Sequence, residues 1–252
     1  MRSFVERGHD AVFHLAAQAY TPEGDDDPWR AVDVNVGGTL NVLQAVRLTG
    51  SHARVLLAGT SGEYGLDQTV DEVTEETTCR PTQVYGVTKL AATHLGLVYA
   101  RRYGIPVVVT RAYNHTGPGR PACYAESSFA YQVAEVEVGR RAFVTHGNLD
   151  SGRDFLDVRD VVRGYEALIG APTGVYNLCS GRVVTIREVL DILIGHARCV
   201  VPTREVHGRF RADDLKFHRT SHRRAFETVG WSPTVPLERT LGDLLDYWRG
   251  VM

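Results

Sequence analysis

The sequence predicts an α/β fold built on a parallel sheet, and three observations carry that expectation. Strand-like and helix-like segments alternate along the chain. The runs "AVFHLAA", "RVLLAG" and "IPVVVTRAYN" are apolar almost throughout, as in strands covered on both faces. The stretches between them are long enough for helical crossovers, which parallel neighbours require.

Taken in order, Ala11–Ala17 reads as a buried strand entering a small-residue turn. "DVNVGGTLNVLQAVRLTG" from Asp33 reads as a helix, with Val36, Leu40, Leu43 and Leu48 apolar and Gly50 as its stop. "LDQTVDEVTEETTCRPTQ" is polar, contains Pro81 and reads as a loop. "VYGVTKLAATHLGLVYARRYG" is the strongest helix, closed by Gly104, and the β-branched centre of "IPVVVTRAYN" makes the next strand. "ESSFAYQVAEVEVGRR" and "DVRDVVRGYEALIG" read as helices, and "GVYNLCSG" as a strand returning to the main sheet. "TIREVLDILIGHA" opens with the capping-box pair Thr185 and Glu188, and "LERTLGDLLDYWRGVM" is an amphipathic C-terminal helix.

Composition narrows the function classes. The chain has 252 residues, 43% hydrophobic and 23% charged, with a net charge of -2, so nothing pulls it as a whole toward nucleic acid or anionic membranes. No apolar run approaches the roughly 18–20 residues that span a bilayer. Glu6, His9, Asp10 and His14 interrupt what would be a signal-peptide core, so a cytoplasmic protein is expected. Cys79, Cys123, Cys179 and Cys199 are widely spaced and read as buried or partly buried free thiols, and no metal site is expected.

Four stretches carry chemistry. Tyr85 and Lys89 stand four residues apart on one helical face, and an ammonium held beside a phenol favours the phenolate, so the pair can shuttle a proton. Lys occurs only twice in the chain, at 89 and 216, while Arg serves elsewhere. "AGTSGEYG" places Thr60 and Ser61 where a strand ends, the side of an open α/β sheet on which ligands bind. "TRAYNHTGPGR" is a second strand end, and "NLDSGRDFLDVRD" sets Arg153 and Asp154 before a helix that Asp157 could cap.

Together with "FHLAAQA", "DVNVGGTLNVLQAVR", "VYNLCSG" and the Gly230-Trp231 pair near "LLDYW", these stretches resemble, over nearly the whole chain, the extended short-chain dehydrogenase/reductase family that acts on nucleotide sugars. "NHTGPG" with "RDFLDVRDVV" looks most like its GDP-mannose 4,6-dehydratase group, and especially the sister reductases of GDP-4-keto-6-deoxy-D-mannose. The resemblance implies a Rossmann-type domain over 1–115 and 155–182, with an interleaved substrate lobe over 116–154 and 183–252. It implies a catalytic set of Thr60, Tyr85 and Lys89, with Tyr85 the general acid. It places Leu15, Ala16, Ala17, Asn35, Lys89, Tyr113 and His115 along an NADP or NAD cofactor. Gln18, Ser61, Glu63, Asn114, Arg153 and Arg211 would face a GDP-linked sugar, Arg153 suiting a diphosphate through its planar fork. The resemblance also implies a homodimer through the helix bearing Tyr85, and Leu95, Leu97, Val98, Tyr99 and Tyr103 suit either that contact or the core.

One departure separates the sister activities. The dehydratases carry a Glu at the third position after the strand, where this chain has Gly62, and Glu63 lies one residue on. In an extended segment that shift turns the side chain to the opposite face, which favours a simple keto reductase. A dehydratase or another nucleotide-sugar epimerase is the alternative.

The family's GxxGxxG turn, whose N–H groups meet the cofactor pyrophosphate, does not stand before "AVFHLAA". The expectations that follow are a Rossmann sheet without its first three strands, a bare apolar edge and weakened NAD(P) binding. A catalytically inactive sugar-nucleotide binder or partner subunit is therefore a further reading. The basic stretch from His207 to Arg224 reads as a solvated or phosphate-gripping face rather than a nucleic-acid site.

Overall fold

The computed structural model describes residues 8–65, 68, 70–206 and 219–252. The labelled strands are β1 (Ala11–His14), β2 (Arg54–Ala58), β3 (Val107–Ala112), β4 (Asn114–Thr116), β5 (Val144–His146), β6 (Gly152–Asp157), β7 (Gly174–Leu178), β8 (Val183–Thr185) and β9 (Thr203–Glu205). The helices are α1 (Thr21–Asp26), α2 (Pro28–Val32), α3 (Gly38–Thr49), α4 (Val84–Tyr103), α5 (Ala125–Glu137), α6 (Val158–Leu168), α7 (Ile186–Gly195), α8 (Arg223–Val229) and α9 (Leu237–Val251). Two compact units result, one of Met1–Tyr113, Val162–Leu178 and Ser221–Ser232, the other of Asn114–Val161, Cys179–Thr220 and Pro233–Met252.

The first unit is a sheet in the order β1-β2-β3-β7. Every neighbouring pair is parallel, in the registers Val12↔Val55, Leu56↔Val108 and Thr110↔Tyr176. The strand at "GVYNLCSG" does join this sheet, beside β3. All six residues of β3 are buried, which is why its sequence shows no polar alternation. Val42, Leu43 and Val46 of α3 and Tyr99 of α4 close over Val55, Leu57, Val107 and Val109 in one apolar cluster. Tyr99 and Leu95 thus face the core rather than a partner, while Val98 and Tyr103 remain exposed. Among the described residues β1 is an edge strand, paired only with β2, and its Phe13 is exposed.

The helix expected from Asp33 starts earlier and is not uniform. Asp27 caps α2 by accepting from the Arg30 N–H, and Asp33–Gly37 then form a π turn before α3 begins. Such a turn inserts a residue into the helical ladder, and it commonly marks a functional position. Helix α4 ends as expected at Gly104, whose φ of 68 provides the left-handed cap that a side chain resists.

In the second unit β4 pairs in parallel with β6, β8 pairs antiparallel with β6, and β9 runs parallel to β5. Phe129 and Val133 of α5, Leu190 and Leu193 of α7, and Leu241, Leu244 and Leu245 of α9 form its core. The capping box at Thr185 and Glu188 is present in full. No helix among the described residues is long and apolar enough to cross a membrane. The four thiols are free; Cys179 is buried and Cys79 half-buried, but Cys123 and Cys199 are exposed, contrary to expectation.

Candidate active site

The first unit brings the predicted proton-transfer pair and the hydroxyl turn to the carboxyl end of its parallel sheet. After β2, Thr60 is extended and caps a single 3₁₀ turn, Ser61–Glu63, instead of continuing as a strand. Its Oγ1 accepts from the Gly62 N–H at 3.2 Å, which fixes the hydroxyl oxygen and leaves its proton free to donate. Helix α4 packs on this turn at Gly86, where a methyl group would stand 2.5 Å from the Gly62 carbonyl oxygen. That backbone-to-backbone approach brings the first turn of α4, which bears Tyr85, against the turn that Thr60 caps, and the side chains of Thr60, Ser61 and Tyr85 stay half-buried.

Lys89 lies one turn further along α4, only 6% exposed. Burial lowers its pKa from the ordinary value, and the nearby Glu63 partly opposes this. Among the described residues no hydrogen bond reaches its ammonium. A charge with so little exposure is costly unless an oxygen meets it, so the position suits a hydroxyl-bearing molecule. Leu15 and Ala16, exposed at the end of β1, supply an apolar surface on the same side. These residues fit a nicotinamide dinucleotide of the kind expected from the sequence.

A hydrogen-bonded chain ties β1 to α4. Asn35, in the π turn, accepts from the Gln18 N–H at 2.8 Å and donates to the Gln18 carbonyl at 3.2 Å and to Thr88 Oγ1 at 2.9 Å. Thr88 in turn donates to the Tyr85 carbonyl at 2.8 Å. Thr39 donates to the Asn35 carbonyl at 2.7 Å and meets His14 Nε2 at 3.2 Å. Burial, and then the Lys89 charge, lower the His14 pKa and keep its imidazole neutral.

Three sequence expectations change here. Asn35 was expected along the cofactor, but it is 1% exposed and its amide is spent on Gln18 and Thr88. Gln18 was expected to face the substrate, but it is buried and its amide donates to the Tyr20 carbonyl at 2.8 Å. Glu63, likewise expected at the substrate, is fully buried. Its Oε1 accepts from the Thr60 N–H at 3.1 Å, and its Oε2 accepts from Arg111 Nε at 2.8 Å and Thr93 Oγ1 at 3.0 Å. Arg111, although buried, stays protonated above its usual range because Glu63 and Tyr64 outweigh the cost of burial. A lone Arg inside the apolar strand "VVVTRA" was the available sign that an anion lay opposite.

Tyr113, half-buried, donates its N–H to the Leu178 carbonyl at 2.9 Å within the first unit. The other expected contacts belong to the second unit. Asn114 is exposed, with its amide donating to the Asp154 carbonyl at 3.2 Å, and His115 is half-buried opposite Leu156. Arg153, also half-buried, bonds the Gly152 carbonyl. Asp154 is buried and accepts from the Ser180 and Gly181 N–H groups, both at 2.9 Å, and from Thr220 Oγ1. Burial raises its pKa, and these bonds oppose the rise. Asp157 caps α6 through the Arg159 N–H at 2.7 Å. Arg211 lies outside the described residues.

Residues 1–244 match the GDP-mannose 4,6 dehydratase family. The chain belongs to that family. Among its relatives, GDP-6-deoxy-D-mannose reductase of Pseudomonas aeruginosa is 36% identical over 244 residues, 95% of this chain and 80% of the relative. The structure of RMD from Pseudomonas aeruginosa complexed with NADPH superposes with a TM-score of 0.91 at 34% identity, over 97% of this chain and 83% of that one. UDP-glucose 4-epimerase of Thermus thermophilus, solved with NAD, superposes with a TM-score of 0.85 at 27% identity, over 100% and 83% of the two chains. These matches bear out the resemblance to extended short-chain dehydrogenase/reductases and the Rossmann-type reading of the parallel sheet.

Proposed function

We propose that this chain reduces the keto group of a GDP-linked 4-keto-6-deoxy sugar, with NADPH or NADH as reductant. One observation carries the choice among family activities. The hydroxyl turn and the Tyr85–Lys89 helix are assembled, but the position after Ser61 is Gly62, and the neighbouring carboxylate of Glu63 is turned into the core. The turn therefore offers a proton donor, and its one carboxylate, Glu63, is not free to remove a sugar C–H proton. The similarity to a GDP-6-deoxy-D-mannose reductase and to an NADPH complex supports the same reading.

The residues divide the work as follows. The Thr60 hydroxyl donates a hydrogen bond to the C4 keto oxygen and orients the sugar, keeping its own proton. Tyr85 delivers a proton from Oη to that oxygen as C4 becomes tetrahedral. The Lys89 ammonium stabilises the phenolate left behind and holds ribose hydroxyls. When bound, the reduced nicotinamide supplies the hydride that C4 accepts. By the family resemblance, Leu15, Ala16, Ala17, Tyr113 and His115 would hold the cofactor, and Asn114, Arg153 and Arg211 would take the sugar nucleotide. The exposed side of α4, with Val87, Val98 and Tyr103, is the surface for a homodimer. A cytoplasmic location suits a substrate activated as a nucleoside diphosphate.

Offering the purified chain GDP-mannose and its 4-keto-6-deoxy derivative in parallel, each with NADPH, tests the choice. Consumption of the keto sugar alone, with matching loss of NADPH absorbance, is expected. Conversion of GDP-mannose to the keto sugar would replace this reading with the dehydratase one.

A further inference from the structure

Beneath the Thr60 turn lies a buried ion pair that the reduction just described does not use. Glu63 is fully buried and Arg111 nearly so, and their contact is 2.8 Å. Two more groups converge on the same carboxylate. The Thr60 main-chain N–H donates to Oε1, and the Thr93 hydroxyl donates to Oε2. Thr93 stands four residues after Lys89, as Lys89 stands four after Tyr85, so the three share one face of α4. Glu63 is thus joined at one oxygen to the hydroxyl turn, and at the other to the helix stripe that carries the ammonium.

Ion pairs in low dielectric are often no more stabilising than apolar side chains of the same volume, so stability alone gives a weak reason for this one. Its placement gives a better one. Arg111 balances Glu63 across a 2.8 Å contact, and its guanidinium lies 4.7 Å from the centre of the Tyr64 ring. Tyr64 is held in turn by its hydroxyl on Asn177 Oδ1 at 2.7 Å.

We propose that Glu63 is a positioning residue that fixes the Thr60 main chain and supplies the counter-charge for the Lys89 ammonium. The inference rests on the reading of Thr60, Tyr85 and Lys89 as the proton-transfer set. Among the described residues, Glu63 of the turn and the neutral His14 of β1 interact with the Lys89 charge, and Tyr85 stands one turn before it on α4. Arg111 of β3 pairs with Glu63, and Cys79 lies within electrostatic reach of both. Of these, Glu63 is the group that supplies negative charge to Lys89. Removing its charge weakens proton binding at Lys89, because the ammonium keeps its burial and loses its attraction.

The chain has two lysines, at 89 and 216, so selective carbon-13 lysine labelling of the whole protein gives two side-chain titrations by NMR, and Lys89→Arg identifies its own. Two variants are compared with the parent. Glu63→Gln keeps the shape and removes the charge. Glu63→Gln with Arg111→Met removes both charges, so no uncompensated cation is left buried. The pKa of Lys89 is expected to fall by about one unit, a tenfold change in proton affinity, in Glu63→Gln, and to stay below the parent in the double variant. The alkaline limb of the kcat profile should move the same way. An unchanged Lys89 titration in both variants would overturn the proposal and leave Glu63 a partner of Arg111 only. Because the NMR titration needs no turnover, it stands apart from the test of the reductase reading. If the parent turns over no keto sugar, that reading fails while the Lys89 titration is still measured.

Discussion

Gly86 and the carbonyl oxygen of Gly62 are in near contact: a methyl group at 86 would lie 2.5 Å from that oxygen and 3.0 Å from Pro81 Cβ. Neither backbone can yield without moving a turn that Thr60 caps or a helix that carries Tyr85. Gly86→Ala is expected to cost about 1–3 kcal/mol of stability and about 10²-fold in kcat. Urea unfolding beside steady-state kinetics checks this. A variant with parent kinetics would show that the close approach does not set the site.

Tyr85→Phe removes one oxygen from a half-buried ring and leaves the packing of α4 as it is. A loss of about 10²–10⁴-fold in kcat is expected, the usual contribution of a positioned acid. Cofactor affinity should stay within about twofold, which fluorescence titration with NADPH reads directly.

Lys89 is the case where function and stability oppose each other. Its pKa is lowered by burial against the partial help of Glu63, so over the range where it is charged the folded state bears a cost. Lys89→Met should abolish turnover and raise stability by about 1 kcal/mol, or ~2–4 °C in Tm. A lower Tm than the parent would contradict this assignment.

The pH dependence of folding has a matching sign at His14. Its folded pKa lies below the ordinary 6.5 because of burial and the Lys89 charge. The unfolded chain therefore takes up this proton first as pH falls. The contribution of His14 is whole above pH 6.5 and is lost as pH drops from there to the folded value. Thermal melts across that window should fall less steeply for His14→Gln than for the parent, and equal slopes would refute it.

Asp154 holds the second unit together at one point, accepting two main-chain N–H groups and the Thr220 hydroxyl. Asp154→Ala would leave those donors without their acceptor, at about 1–3 kcal/mol for each buried group. A loss of about 3 kcal/mol by denaturant unfolding is the expected outcome. A loss under about 0.5 kcal/mol would show that other acceptors replace the carboxylate.

The parts of this account legible from the sequence are those set by local pattern. β2 and β3 announce themselves because both faces of each are covered, and α4 because Gly104 ends it in the left-handed region. The Tyr85–Lys89 pair is readable from helical spacing alone. What escaped depends on partners distant in sequence. Glu63 reads as a substrate contact until Arg111, 48 residues away, is brought against it. Asn35 and Gln18 look like ligand contacts, yet the Asn35 amide pairs with the Gln18 main chain across 17 residues and donates to Thr88, and the Gln18 amide turns back to the Tyr20 carbonyl. The helix around Asn35 was misjudged for a related reason. The π turn at Asp33–Gly37 shifts its phase, which a constant 3.6-residue period does not register.

The most direct test of the central claim follows a labelled hydride. The purified chain is mixed with GDP-4-keto-6-deoxy-D-mannose and NADPH deuterated at the transferable position, and the sugar product is analysed by NMR and mass spectrometry. The account predicts one deuterium, at C4 of a GDP-linked 6-deoxy sugar, formed by the parent and abolished in Tyr85→Phe. A product without deuterium at C4, or full turnover by Tyr85→Phe, would contradict it.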